Sequence, residues 1–494
     1  MGRNSKKQMD RTVKLRNKHN LHSDKQELKE SVEHLLKLSS SIPQPTIITK
    51  ALDNHNEIAI LLDKIKNLEL NKSNPDNGES SVRNSPEKLS LFSNWLKANG
   101  AVFDGCSIAE FPGYDLGLKA DIDIPYGSLF IAVPKKLMLT LEAAKKSILK
   151  KFIERDQLLK NMPNVALAIY LLVEKFKENS FYKPYIDILP KTYPTVLYFS
   201  KQELNELKGS PTLEVALRQI RSTARQYAYF HTIFSSTDDN VSRLLKAHFT
   251  YEEYCWAVST VMTRQNFIPS DDNETKVAAL IPLWDLCNHT NGMISTDFNP
   301  ELSRSECLAL TDFKKGEQLF IFYGPRTNAE FFIHNGFIPS GNVYDSYPIK
   351  LGISKCDPLK EKRILLLRKL GLENTQEFKL RIGENPIDGK LLAFLRIFNM
   401  SQDQLDHWVE SNRSGDLEFI ECALDVSLEK KSWCFLQTRL KLMLATYQTT
   451  LEEDKKLLEE NKSSSNTVLA VKMRASEKEI IWNTLNWLEQ HVQQ

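Results

Sequence analysis

The chain has 494 residues, more than one ordinary domain holds, so two or three domains are expected. Its 65 basic and 63 acidic residues leave a net charge of +2, without the concentrated cationic surplus that a nucleic-acid binder carries. Seven cysteines, odd in number, widely spaced and without a CxxC pair, suggest neither a disulfide framework nor a cysteine zinc site, and free thiols fit a reducing compartment.

Residues 1–22 read as a polar, basic arm, expected to be disordered. The arm has no apolar core, so no signal peptide is expected, and Lys6 stands where a myristoylation signal carries Ser or Thr. Residues 23–70 read as two amphipathic helices. Ser23 with Gln26 predicts a capping box, followed by Leu28, Val32, Leu35 and Leu36 on one face. Ile58, Leu61, Leu62 and Ile65 mark the second helix. Each is too short to be stable alone, so both are expected to dock on the main body. Residues 71–89 read as a linker rich in Asn and Ser, with Pro75 and Pro86.

From about residue 90 the texture changes to short strands and turns, with turn signals at Gly105, Gly113 and Pro125–Gly127. GLKADIDI and SLFIAVP have strand composition. Residues 140–265 read mostly helical, and Val165 to Phe176 is a nearly all-apolar, buried helix. Its longest clean apolar run, Val165 to Val173, is too short to span a bilayer. Strand-like pieces return at AALIPL, CLAL and QLFIFY. Beyond residue 341 the pattern is helical. Trp433, Leu436, Leu440, Met443, Leu444 and Tyr447 follow one face, and Leu391, Leu392, Leu395 and Phe398 another. Glu452 to Lys456 read as a solvated charge run. The fold class is α+β: a β-rich domain with a helical insertion, then an all-α domain.

Three segments stand out: TRQN (Thr263 to Asn266), IPLWDLCNHTNG (Ile281 to Gly292) and IFYGPRTNAEFFIHNGF (Ile321 to Phe337). Alone, Asn288-His289 after an apolar strand is more often a core hydrogen-bonded pair, and Tyr323-Gly324 a strand end. Together, an Asn-His pair after an aliphatic strand and a Phe-Tyr-Gly some tens of residues later resemble the signature of SET-domain methyltransferases. The segments RSTARQYAYF, AVSTVMTRQN, LIPLWDLCNHTNG, IFYGPRTNAEFFIHNGF and YQTTLEEDKK narrow this. They are similar to the actin-histidine methyltransferase family, and the resemblance covers most of residues 90–455.

The resemblance implies a pseudoknotted SET core over 90–340, with the insertion at about 140–265. Residues 341–494 would then form a helical domain resembling the substrate-binding domain of the Rubisco large-subunit methyltransferase. It implies S-adenosylmethionine as cofactor, no metal, and actin as protein substrate. Nucleic acid and membrane contacts are not expected; a monomer in the cytoplasm, with access to the nucleus, is. The cofactor residues carried over are Arg264, Asp285, Leu286, Cys287, Asn288, His289, Asn335, Gly336 and Phe337, with Tyr114, Asp115 and Leu116 in a first loop. That loop departs from the family, which carries Glu, Gly and Phe before GLRA; here Asp115 replaces the glycine and Lys119 the arginine. A further cofactor arginine aligns on Ser85, with Arg83 nearby as its substitute. Tyr323 and Asn266 match the catalytic positions, and Trp284, Arg326, Ile321 and Gln265 the substrate pocket.

Histidine suits such a pocket on physical grounds. Freeing a lysine lone pair at pH 7 costs about 4–5 kcal/mol, whereas imidazole is mostly neutral there. A histidine site needs control of ring orientation and tautomer, which Asn266 can supply by hydrogen bonding and Trp284 by walling the ring. Two other readings stay open: a Rubisco-type lysine methyltransferase acting on a non-histone protein, and a non-catalytic actin-binding adaptor.

Overall fold

The computed structural model describes residues 23–41, 48–70, 83–460 and 463–492. The basic arm and most of the linker lie outside them. Among the described residues, ten short strands build three small sheets in the first part of the chain. They are β1 (Cys106–Phe111), β2 (Asp115–Ala120), β3 (Leu129–Pro134), β4 (Leu139–Thr140) and β5 (Gln265–Pro269). After them come β6 (Lys276–Leu280), β7 (Asn288–His289), β8 (Thr296–Asn299), β9 (Arg304–Leu308) and β10 (Gln318–Ile321). The sheet orders are β1-β2-β10-β7, β3-β9-β8 and β4-β6-β5. β10 pairs antiparallel with β2 and parallel with β7, so Phe320 lies opposite Asn288 and Ile321 opposite His289. This pairing brings the last strand of the core beside the Asn-His pair.

The expected strands are present but shorter at their ends. β2 stops at Ala120, leaving Ile122 exposed, and β6 stops at Leu280. The chain then turns through Leu283, which has φ 71°, into a short 3-10 turn at Trp284–Leu286. β3 buries Phe130, Ile131, Ala132 and Val133 in succession, as a strand covered on both faces does.

Helices fill the sequence between β4 and β5. Pro163–Phe176 begins with proline at its first turn and buries every residue from Val165 to Glu174. It packs along Tyr251–Arg264, whose start is capped by Thr250. The N-terminal helices also dock. Residues 23–40 bury Leu28, Val32 and Leu35, and Ile48–Leu70 buries Ile58, Leu62 and Ile65. Glu69 accepts hydrogen bonds from the Tyr227 hydroxyl at 2.6 Å and the Tyr251 amide at 3.0 Å. The expected Ser23–Gln26 capping box does not form: Ser23 is already helical, and Gln26 donates to Glu30 at 2.8 Å. Helix Pro86–Ala98 starts inside the expected linker. Ser85 is its N-cap, accepting from the Lys88 amide at 3.4 Å, and Pro86 supplies the favoured first residue.

The chain divides into two compact units. The first holds the described residues up to Tyr198, Ala216–Gly324 and His334–Gly336. The second holds Phe199–Val215, Pro325–Ile333 and the residues from Phe337 onward.

The second unit is mainly helical, but the all-α expectation needs correction. Strands β11 (Ser346–Gly352) and β12 (Thr375–Arg381) pair antiparallel, burying Tyr347, Ile349 and Leu351 against Phe378 and Leu380. Their buried and exposed residues alternate with a period of two, which marks a sheet with one face on the core. Gly389–Asn399, Val426–Leu444 and Ser465–Val492 complete this core. Tyr447 does not continue the helical face; it lies beyond the helix end, and its hydroxyl donates to Glu477 at 2.8 Å. The charge run 452–456 is not wholly solvated either. Asp454 is fully buried, paired with Arg474 at 2.8 Å and Lys478 at 2.6 Å, and Arg474 also pairs with Glu206, so two cations face two carboxylates.

Candidate active site

The centre of the first unit is built where one helix ends and two strands meet. Helix Tyr251–Arg264 stops at Arg264, because Gln265 adopts extended backbone and begins β5. The Arg264 guanidinium reaches the turn before β7. Its Nη1 donates to the Asp285 carbonyl at 3.0 Å and lies 3.2 Å from the Asp285 carboxylate. The Asp285 side chain is only 1% exposed and the Arg264 side chain 14%. The Tyr185 hydroxyl donates to the same carboxylate oxygen. Burial opposes the charge on Arg264, but Asp285, Tyr193 and Tyr185 together outweigh it and hold the guanidinium above its ordinary pKa. Burial likewise pushes the Asp285 carboxyl up, against the opposing pull of Arg264 and Tyr185. The guanidinium cannot give up its proton at neutral pH, so its charge is permanent.

Two residues beyond Asp285, the Cys287 carbonyl accepts the Tyr323 hydroxyl at 2.7 Å. The Tyr323 amide donates to His289 Nδ1 at 3.2 Å, and the two rings lie 5.2 Å apart. His289 is therefore fixed from the backbone of the residue following Phe322, and Tyr323 from the backbone of Cys287. Leu286 and Cys287 are buried, as is Ile321. The Asn288 amide donates to the Leu116 carbonyl at 3.3 Å, tying the first loop to the Asn-His strand. Gly117 is needed here: a Cβ would sit 2.6 Å from Gln318 Nε2 and 3.0 Å from Asn288 Nδ2. Tyr114 meets the ring of Phe320 edge-on at 5.5 Å.

Arg83 joins this loop. Its Nη2 lies 2.8 Å from the Asp115 carboxylate, and its Nη1 donates to the Ile188 carbonyl at 3.2 Å. Ser85, the aligned position, is occupied with capping its helix, so Arg83 is the basic residue that reaches the loop. Asp115 has φ 63°, the left-handed conformation that the family's glycine adopts freely.

Asn266 lies on β5 opposite Ala279, and its amide donates to the Arg264 carbonyl at 3.4 Å. Gln265 lies opposite Leu280 on the same strand. Trp284 is buried at the 3-10 turn. Asn335 donates to the Thr263 carbonyl at 3.2 Å, next to Arg264. Gly336, at φ 75°, is required by its close approach to Pro194, whose oxygen a Cβ would meet at 2.7 Å. Arg326 and Phe337 belong to the second unit. There the Arg326 carbonyl accepts from Asn342 at 2.8 Å, and the Phe337 ring packs on Phe331 at 5.1 Å.

Sequence reasoning missed Tyr185 and Tyr193. Both are buried; Tyr185 fixes Asp285, and the Tyr193 hydroxyl accepts from Thr260 at 2.9 Å on the helix that ends at Arg264. The one signal was the tyrosine-rich, proline-punctuated stretch YKPYIDILPKTYP.

The geometry fits a small polar ligand with both donor and acceptor groups. Asp285 Oδ1 and Arg264 Nε are buried and have no hydrogen-bond partner among the described residues. Leaving such groups unmade is costly, and a ligand amine and carboxylate would satisfy them.

Residues 115–324 match the SET domain family, and residues 354–481 match the Rubisco LSMT substrate-binding family. An actin-histidine N-methyltransferase of Gallus gallus is 42% identical over 464 residues, covering 93% of this chain and 77% of that protein. The chain belongs to the actin-histidine N-methyltransferase family. The Homo sapiens member is 41% identical over 93% of this chain and 77% of its own length. The Xenopus tropicalis member is 45% identical over 79% of this chain and 68% of its own length. The fold is shared with Rubisco LSMT bound to sinefungin and monomethyllysine, at TM-score 0.68 and 24% identity over 82% of this chain and 92% of that one. Rubisco LSMT bound to AdoMet gives TM-score 0.67 and 24% identity over 83% and 93%. In the first loop of this chain Asp115 and Arg83 pair with each other.

Proposed function

We propose that the chain transfers a methyl group from S-adenosylmethionine to the Nε2 nitrogen of a histidine in actin. The observation that carries this reading is the buried Arg264–Asp285 pair, with one unpaired hydrogen-bonding atom on each partner, where Asp285 belongs to the short turn that leads to Cys287 and so to Tyr323. The relatives above, all named actin-histidine N-methyltransferases, support the substrate.

When bound, S-adenosylmethionine supplies an electrophilic sulfonium methyl whose C–S bond breaks as the N–C bond forms. The protein's share is positioning, exclusion of water and tolerance of charge. Arg264 and Arg83 are the cations for the donor's carboxylate, and Asp285 is the acceptor for its amine. Asn288 and His289 present strand backbone, and Gly117 allows the close approach of the chain. Tyr323 has its hydroxyl hydrogen committed to Cys287, which fixes the ring and leaves its electron-rich face for a cationic methyl group. Asn266 orients the acceptor. Its Nδ2 is engaged with Arg264, so its Oδ1 remains to accept from an imidazole Nδ1–H. That bond selects the tautomer with its lone pair on Nε2. Trp284 walls the flat ring, and no base is needed to uncover the nucleophile.

The reading implies a cytoplasmic location, supported by seven free cysteines, of which Cys356, Cys422 and Cys434 are exposed. The test is purified actin incubated with the chain and isotopically labelled S-adenosylmethionine, with fragments sequenced by mass spectrometry. Label on one histidine, abolished by replacing that histidine with alanine, is expected. Label on lysine, or none on actin, overturns the substrate assignment.

A further inference from the structure

Two guanidinium groups converge beside the first loop, and each has one carboxylate at ion-pair distance. Arg264 faces Asp285 at 3.2 Å, and Arg83 faces Asp115 at 2.8 Å. The two cations are near enough to repel each other: burial lowers the pKa of Arg83, and Arg264 lowers it further, while Asp115 works against both.

The two carboxylates differ in how firmly they are held. Asp285 is 1% exposed, hydrogen-bonded by Tyr185 and fixed within the turn that leads to β7. It cannot leave without unpairing buried groups. Asp115 is 59% exposed and stands at the start of β2 after a proline-glycine turn, in a left-handed backbone conformation that costs a non-glycine residue. Arg83 is the opposite: its side chain is 12% exposed, and a second nitrogen is anchored on Ile188. The cation is fixed and buried, while its counter-charge sits on a solvated side chain.

We infer that Asp115 is an internal stand-in for the ligand's carboxylate, neutralising Arg83 in the free protein and displaced when the methyl donor arrives. This rests on the reading of the site as a methyl-donor site. It gives a reason for an acidic residue at a position where glycine fits the backbone better: Arg83 would otherwise be a buried guanidinium without a counter-charge at ion-pair distance beside Arg264. The arrangement exacts a toll on affinity, because the incoming carboxylate must replace a partner already in place.

The test is isothermal calorimetry on the full chain at low ionic strength. It uses S-adenosylmethionine and its decarboxylated analogue, with wild type, Asp115→Asn and Arg83→Ala. Asparagine tolerates left-handed backbone, so Asp115→Asn keeps the fold, and its melting temperature checks this. The expected result is that Asp115→Asn binds S-adenosylmethionine about two- to fivefold more tightly, the range an exposed ion pair can exert. Binding of the decarboxylated analogue should be unaltered. Arg83→Ala should weaken S-adenosylmethionine alone. Weaker binding of S-adenosylmethionine by Asp115→Asn would show that Asp115 holds the amine and would overturn the inference. Equal tightening of both ligands would overturn it as well. Failure of the wild type to bind either ligand would overturn the donor-site reading and this inference together, whereas binding without the expected ligand selectivity overturns the inference alone.

Discussion

Glu477 offers a pH-dependent test of the second unit. Its carboxylate is fully buried and accepts from Ser210 at 2.8 Å, Thr212 at 2.7 Å and Tyr447 at 2.8 Å. These bonds tie the segment Phe199–Val215 and the end of helix Val426–Leu444 to helix Ser465–Val492. Burial raises the Glu477 pKa from 4.5 to about 7, against the pull of the three hydroxyls, and the Asp345 carboxyl adds to the rise. In the unfolded chain the group titrates near 4.5. Between 4.5 and about 7 the folded protein therefore holds the proton that the unfolded chain has lost. The contribution to stability is complete below 4.5 and is lost as pH rises through 7. A shift of this size corresponds to about 3 kcal/mol. Glu477→Gln mimics the protonated form and removes the titration. Urea unfolding of wild type and variant at pH 5, 7 and 9 measures the difference. The variant should gain on wild type as pH rises, by up to about 3 kcal/mol. A difference that stays constant from pH 5 to pH 9, or moves the other way, refutes the reasoning. The Asp345 carboxyl, raised by burial to about 6, titrates in both proteins, and its repulsion of Glu477 is part of the difference measured.

Two further outcomes concern the first unit. Tyr323→Phe removes the 2.7 Å bond to the Cys287 carbonyl and should cost about 1 kcal/mol of stability. It should lower kcat at least about tenfold while cofactor Kd, measured by calorimetry, stays within about twofold; equal turnover would remove Tyr323 from the catalytic residues. Gly336→Ala would bring a Cβ within 2.7 Å of the Pro194 oxygen at φ 75°. Thermal unfolding should show a loss of about 1–2 kcal/mol or more, and an unchanged melting temperature would contradict the packing described.

How much of this was legible in the sequence depends on the range of the forces involved. The helix over Pro163–Phe176 and strands β3 and β10 are set by local apolar patterning and were readable. The SET signature drew attention to Arg264, Asp285 and Tyr323, but not to how they are held. Tyr185 lies 100 residues before the carboxylate it fixes, and no periodicity connects the two. The same limit hid Asp454: five charged residues in a row look solvated until Arg474 and Lys478 arrive from another helix. Arg83 was legible as a candidate because it stands two places from the aligned Ser85. Only the fold shows that Ser85 is spent on capping and that Asp115 answers Arg83. Strands β11 and β12 were missed because long-range pairing, not local propensity, makes them strands.

The most direct test of the central claim is acceptor choice in the pocket. Two actin peptides, identical except for histidine or lysine at the acceptor position, are compared by kcat/KM with wild type and with the double variant Asn266→Phe, Trp284→Ala. Wild type should favour histidine, and the double variant should lose histidine methylation and gain on lysine. An unchanged preference in the double variant, or a wild type that favours lysine, contradicts a pocket built to orient an imidazole.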